Sequence, residues 1–202
     1  MRKLLILLAL CPLAGFAQFE FSAGLEAGPI LTHIQGDQLA GFNKIGIAGG
    51  PYVKVRFSNK VGACLRTCFS PKGSRSRPNT QAGNFDQRGW NLNYFEIPVS
   101  ITWEVGNAIA LEAGHYFAVL QSQRDYRGGT FGTIYDYDDT DIGFQFGATW
   151  RFAKKFHMHA RYSLSVLPIN GSLIENSGNG IVAGSYNHAI YINVGIRFNG
   201  MN

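Results

Sequence analysis

The sequence predicts an all-β fold, an eight-stranded antiparallel up-and-down transmembrane β-barrel with short periplasmic turns and long extracellular loops. Three observations carry that expectation. Eight segments alternate between large apolar side chains and small or charged ones, the period-2 pattern of a strand with two unlike faces. Their connections alternate between turns of about three residues and long polar stretches. Beyond the N-terminus no apolar run reaches the roughly 18 residues that a spanning helix needs, so a chain that enters a membrane must do so as a closed sheet.

The clearest element is the hairpin from Leu92 to Leu120. In its first arm Phe95, Ile97, Val99, Ile101, Trp103 and Val105 share one face, opposite Tyr94, Glu96, Pro98, Ser100, Thr102 and Glu104. Gly106-Asn107 turns the chain, and Ile109, Leu111, Ala113, Phe117 and Val119 then oppose Ala110, Glu112, Gly114, Tyr116 and Ala118. The same rhythm predicts strand one over Phe19–Ala27 and strand two over Lys44–Phe57, separated by a loop at His33–Asn43. After the turn Ser58-Asn59-Lys60, strand three covers Val61–Ser70. Polar stretches Pro71–Asn91 and Gln121–Thr140 lead into and out of the central hairpin. Strand six is Asp141–Phe152, the turn Ala153-Lys154-Lys155 follows, and strand seven is Phe156–Leu167. A loop from Pro168 to Asn187 precedes a last strand ending at Phe198.

Composition agrees with one folded domain in a solvent hostile to charge. The 202 residues are 46% hydrophobic and only 15% charged, against about a quarter in ordinary soluble proteins, with 25 glycines. The N-terminus carries Arg2 and Lys3, an apolar run from Leu4 to Leu10, and small residues ending at Ala17, which together spell a secretory signal peptide over residues 1–17 and a barrel domain over 18–202. Leu10 and Pro12 around Cys11 argue against lipidation. Without Arg2 and Lys3 there are 16 basic residues against 13 acidic, a charge of +3 that argues for no nucleic-acid partner. The expected destination is the outer membrane of a Gram-negative envelope, as an integral porin-like protein.

Volume decides which face points outward. An eight-stranded barrel has an interior only just wide enough for side chains, so the bulky apolar face belongs to lipid. The lumen then receives Glu20, Glu26, Glu96, Glu104, Glu112 and Asp141 beside Lys54, Arg56, Arg66, Arg151, Arg161 and Arg197, signs that can pair across it. That predicts a plugged lumen. Phe21, Phe57, Trp103, Trp150, Phe152, Phe156 and Phe198 gather at strand ends beside the short turns, as a periplasmic aromatic girdle would.

The runs LNYFEIPVSITW, LEAGHYF, IGFQFGATWRF, ARYSLSV and INVGIRF resemble the outer-membrane β-barrel domain family that includes PorT-like proteins, over nearly the whole mature chain. The resemblance implies an eight-stranded outer-membrane barrel, a secretion link for some members, and no catalytic residues. Arg66, where the family more often has an acidic residue, and His115, where proline commonly follows the glycine, depart from its usual wording.

No candidate chemistry outweighs a structural role. Cys64 and Cys68 share a strand face at about 13 Å, too far for a disulfide or a shared zinc. His157 and His159, about 7 Å apart, have metal-ligand spacing but lie beside Arg151 and Arg161, which repel a cation. Lys72, Arg75, Arg77 and Arg88 make the loop after strand three basic and suited to phosphates of surface lipid or glycan. Asp136, Asp138, Asp139 and Asp141 supply oxygen ligands without an EF-hand spacing. His115 and His188 face outward without a serine that would make a deacylase relay. The expectation is a non-enzymatic structural or accessory protein, with no cofactor and no metal, contacting outer-membrane lipid and an envelope or secretion-machinery partner. A lipid-modifying enzyme or a narrow pore are its alternatives. Intact-mass analysis of the protein from outer membranes should give a chain beginning at Gln18; a mass retaining Met1 would refute the signal peptide.

Overall fold

The computed structural model describes residues 19–37, 39, 41–76, 88–127, 130–132, 137–170 and 184–198. The expected signal peptide, Arg77 and Asp136 lie outside the described residues. Ten strands form one antiparallel sheet: β1 (Glu20–Gln35), β2 (Lys44–Arg56), β3 (Val61–Arg66), β4 (Cys68–Arg75), β5 (Arg88–Val105), β6 (Ile109–Arg127), β7 (Thr130–Gly132), β8 (Thr140–Arg151), β9 (Phe156–Ser165) and β10 (Tyr186–Phe198). They make eight staves. β3 and β4 hold one continuous register against β5, from Val61 opposite Trp103 to Arg75 opposite Gly89, and are a single stave interrupted at Thr67. β7 pairs with the far end of β6 and prolongs the stave of β8.

The sheet closes because β1 pairs with both β2 and β10. Tracing partners once round the ring from Ala23 passes through Val53, Leu65, Val99, His115, Phe144, Leu164 and His188 and returns to β1 at His33. That is a stagger of ten residues. At about 3.3 Å rise and about 4.8 Å strand spacing, it tilts the strands roughly 40° from the barrel axis. Closure removes the sheet edges, so backbone donors and acceptors are met within the wall.

Alternation sorts the side chains as the volume argument requires. Val99, Ile101, Phe117, Phe146 and Val194 are among a continuous belt of exposed apolar residues, far larger than a protein surrounded by water leaves uncovered. Glycine serves one turn by conformation: Gly106, between β5 and β6, has φ 77°, a left-handed backbone that a side chain disfavours.

The strands run further than expected at the loop end. β1 continues to Gln35, so His33 is on a strand and the first loop starts later. The stretches Pro71–Asn91 and Gln121–Thr140 are partly strand, since β4 reaches Arg75, β5 starts at Arg88 and β6 extends to Arg127. Beyond the belt, outward positions turn polar, as at Asn91, Asn93 and Ser122, so apolar alternation fades while the ladder continues. A register shift at Asn93/Tyr94 also changes parity on β6. Pro71, the expected start of a polar connection, lies inside β4. It is tolerated because β2 and β4 have a single ladder pair, Gly49 with Phe69, and Pro71 lies beyond it. Carbonyls left there are met by side chains: Lys44 Nζ donates to the carbonyls of Pro71, at 3.0 Å, and of Lys72, and Thr32 Oγ1 donates to that of Gly73 at 2.8 Å.

Val99 stands midway along the outward row of β5. Val99→Arg should lower the stability of the barrel in lipid vesicles by about 2–4 kcal/mol, and Gln121→Arg, beyond the belt, by less than about 1 kcal/mol, read from urea unfolding. Equal effects would contradict the placement of the belt.

Candidate functional site: a lumen filled in layers

The lumen is built in three tiers from the inward positions of all eight staves. At the turn end, Glu104 on β5 receives Lys54 at 2.6 Å and also Arg151, while Arg56 pairs with Glu20 at 3.1 Å. Glu20 is largely exposed and Arg56 partly so, and this pair rims the mouth rather than filling the interior. Arg197 is also at the mouth, where its guanidinium donates to the Lys154 carbonyl at 2.9 Å and joins no carboxylate among the described ion pairs.

The middle tier is buried. Arg66 joins two carboxylates, Glu26 at 3.1 Å and Glu112 at 2.8 Å. His159 spans the same two from the opposite wall, Nδ1 at 3.2 Å from Glu26 and Nε2 at 2.9 Å from Glu112. His157 closes on Glu26 at 3.6 Å. The two histidines are therefore committed to carboxylates, and among the described residues no group of three or more metal-ligating side chains occurs. Cys64 and Cys68 are free, buried thiols.

The third tier holds Glu96 between Lys72 at 2.7 Å and Arg161 at 3.1 Å, with Asp141 at 3.1 Å from the same Lys72 ammonium. Asp141 also accepts from Ser165 at 2.7 Å, Asn187 at 2.9 Å and Tyr116 at 3.1 Å. Lys72 lies 4.0 Å from the centre of the Tyr116 ring, and Arg161 3.9 Å from that of Tyr191, whose hydroxyl donates to Glu96 at 3.1 Å. Gly143 makes room for the first ring, since a methyl group there would meet Tyr116 Cε1 at 2.5 Å. Above this tier Ile34, Trp90, Leu92, Tyr94, Ala118, Tyr137 and Ile169 form an apolar cluster across the loop end.

Lys72 corrects the reading of the basic loop. It is fully buried in the lumen, because β4 continues the inward parity of Arg66, Cys68 and Ser70 past Pro71. Arg75 is exposed at the end of β4 and Arg88 begins β5, so both are strand residues at the rim. Asp141 points into the lumen and does not join exposed Asp138 and Asp139 in a loop cluster. The seven aromatics expected near the turns are all exposed outward, with Trp150, Phe152 and Phe156 in successive ring contact at 5.6 and 6.5 Å. Outside the wall at the loop end, burial pushes the Asp37 carboxyl above its usual range. Lumen hydrogen bonding was the expected role of His157 and His159, and His159 takes it up, whereas sequence reasoning missed Lys72, Tyr116 and Tyr191 as members of the lumen network. Their inward parity was the available signal.

An apolar outer belt around a lumen of paired charges defines an eight-stranded transmembrane barrel of the bacterial outer membrane, its short turns toward the periplasm. Residues 16–170 match the model of the outer membrane protein beta-barrel domain family, and the chain belongs to that family. Among solved structures, Ail, the attachment invasion locus protein of Yersinia pestis, is similar at TM-score 0.53 and 11% identity, covering 89% of this chain and 99% of that one. Neisserial surface protein A (TM-score 0.48, 10% identity, 88% and 97% covered) and OprG of Pseudomonas aeruginosa (0.40, 10%, 90% and 95%) are also similar. No curated protein matches the chain.

Arg66→Met would leave Glu26 and Glu112 with one cation fewer in a buried tier, and should cost about 3–5 kcal/mol in urea unfolding from detergent or vesicles. Glu20→Gln at the exposed mouth should cost under about 1 kcal/mol. A reversed order would place the main electrostatic support at the mouth.

Proposed function

We propose that this chain is a non-enzymatic, plugged outer-membrane barrel that acts as a structural or accessory protein through its loop end and outer wall. The observation that carries this reading is the filled lumen: two buried tiers of ion pairs and an apolar cluster stand between the periplasmic mouth and the loops. Arg75 and Arg124 support it, being exposed just beyond the belt residues Phe69, Phe95 and Val119 on neighbouring staves, where phosphates of outer-leaflet lipid would lie. The PorT-like resemblance favours an envelope partner linked to secretion. The signal peptide over residues 1–17 belongs to the same reading.

A second reading, a lipid-modifying enzyme, draws on one observation. His188 on the outer wall sits between Tyr162, whose hydroxyl is 2.6 Å from Nδ1, and Gln35, 2.8 Å from Nε2. This has the form of an oriented imidazole, but its described partners include no serine or cysteine nucleophile. Recording in planar bilayers should give no reproducible conductance, and the tagged protein drawn from outer membranes in mild detergent should carry a stoichiometric envelope partner. Steady single-channel steps would replace the plugged reading with a pore. Outer-membrane lipids altered by His188→Ala would favour the enzyme.

A further inference from the structure

The turn end of the lumen holds a cavity of about 420 Å³ that the ion-pair tiers leave unfilled, a size within the range of small-molecule and chain-end sites. It opens toward the short turns, and among the described residues the apolar cluster stands across the other end. Its floor is formed by Glu26, Arg66 and Glu112, and its wall by Tyr52, Thr102 and His157. Seven lysine and arginine side chains line it against four glutamates.

Those glutamates are already engaged. Glu104 is shared by Lys54 and Arg151, Glu20 is taken by Arg56, and Glu26 and Glu112 by Arg66. Lys154, Lys155 and Arg197 are left without a carboxylate among the described ion pairs, all on one side of the mouth. They are also held in place. The Arg197 guanidinium donates to the Lys154 carbonyl at 2.9 Å, and its backbone N–H donates to the Lys155 carbonyl at 2.7 Å, bracing the turn that carries both lysines. Deeper in the wall, Thr102 is 3% exposed and its hydroxyl has no hydrogen-bond partner. A cationic lip, a confined volume with low-dielectric walls and an unused hydroxyl donor together suit an anion that arrives from the periplasm.

We propose that this vestibule is a binding site for a multiply charged anionic group presented from the periplasmic side, carried as carboxylates on an acidic peptide end or as phosphates on a small molecule. The lip supplies attraction and the Thr102 wall accepts the inserted end. The three lip cations favour groups that bring more than one negative charge, while Glu104 and Glu26 oppose deeper entry.

The test is calorimetric titration of the full barrel, folded in detergent micelles, with tetraglutamate and separately with tripolyphosphate. At least one should bind, with affinity falling as salt rises. Lys154→Glu with Lys155→Glu, two exposed side chains whose backbone carbonyls keep their bonds to Arg197, should weaken that binding about tenfold or more. Arg75→Glu with Arg124→Glu, at the opposite rim, should leave it unchanged. Tetraglutamate binding alone assigns the site to peptide carboxylates, and tripolyphosphate binding alone to phosphates. Failure of both probes, or binding that responds to the rim variant and not to the turn variant, would overturn the proposal.

Discussion

Everything inside this barrel depends on neutralising charge in a space without bulk water. Closing eight strands at a stagger of ten residues leaves a bore that side chains alone can fill. A charge placed there must be solvated by other side chains, charged or hydrogen-bonding. The structure answers with shared partners instead of isolated pairs: Arg66 and His159 each touch Glu26 and Glu112, and Lys72 touches Glu96 and Asp141. In the two buried tiers the carboxylates Glu26, Glu96, Glu112 and Asp141 face Arg66, Lys72 and Arg161, and His159 bridges Glu26 and Glu112. Each member comes from a different stave or level, so the network ties the wall across its diameter. Buried pairs are weak sources of stability in themselves, but removing one member leaves the others uncompensated. The network therefore acts as a constraint on register as much as a source of energy.

That constraint explains why the barrel can expose so much apolar surface. Lipid replaces water as the solvent of the outer face, and the hydrophobic effect that would collapse such a sheet in water here holds it in the bilayer. The two faces are consequences of one alternation. Shifting a strand by a single residue would send Glu112 to lipid and Leu111 into the lumen, so slippage is opposed from both sides at once.

Much of the fold was legible because alternation is a strong signal wherever the two faces meet unlike solvents. The hairpin around Gly106, the short turns and the inward parity of Glu96, Glu112 and Arg161 all follow from reading every second residue. The signal weakens past the belt, where both faces become polar, and there the ends of β1, β4, β5 and β6 were read short. Lys72 is the instructive case. Pro71 beside it reads as the end of a strand, yet a proline costs nothing where the neighbouring stave has left the ladder, and that departure is a property of the β2 side that local sequence does not carry. The cation–π contacts of Tyr116 and Tyr191 were hidden for a similar reason, since partners across a closed ring are far apart in sequence.

The two ends of the lumen are finished differently, and the difference gives the molecule a direction. Toward the loops, aromatic and aliphatic side chains cluster across the bore, and the exposed Arg75 and Arg124 lie on the outside of the wall. Toward the turns, the ion pairs thin out, Glu20 and Arg56 reach water, and cations outnumber the carboxylates around an open cavity. A barrel whose only task was to close itself would gain nothing from an excess of like charge at one mouth, because Lys154, Lys155 and Arg197 repel one another and share no carboxylate there. The apolar cluster stands across the bore at the loop end. The charge left without a carboxylate at the other end is what the proposed anionic counterpart would meet.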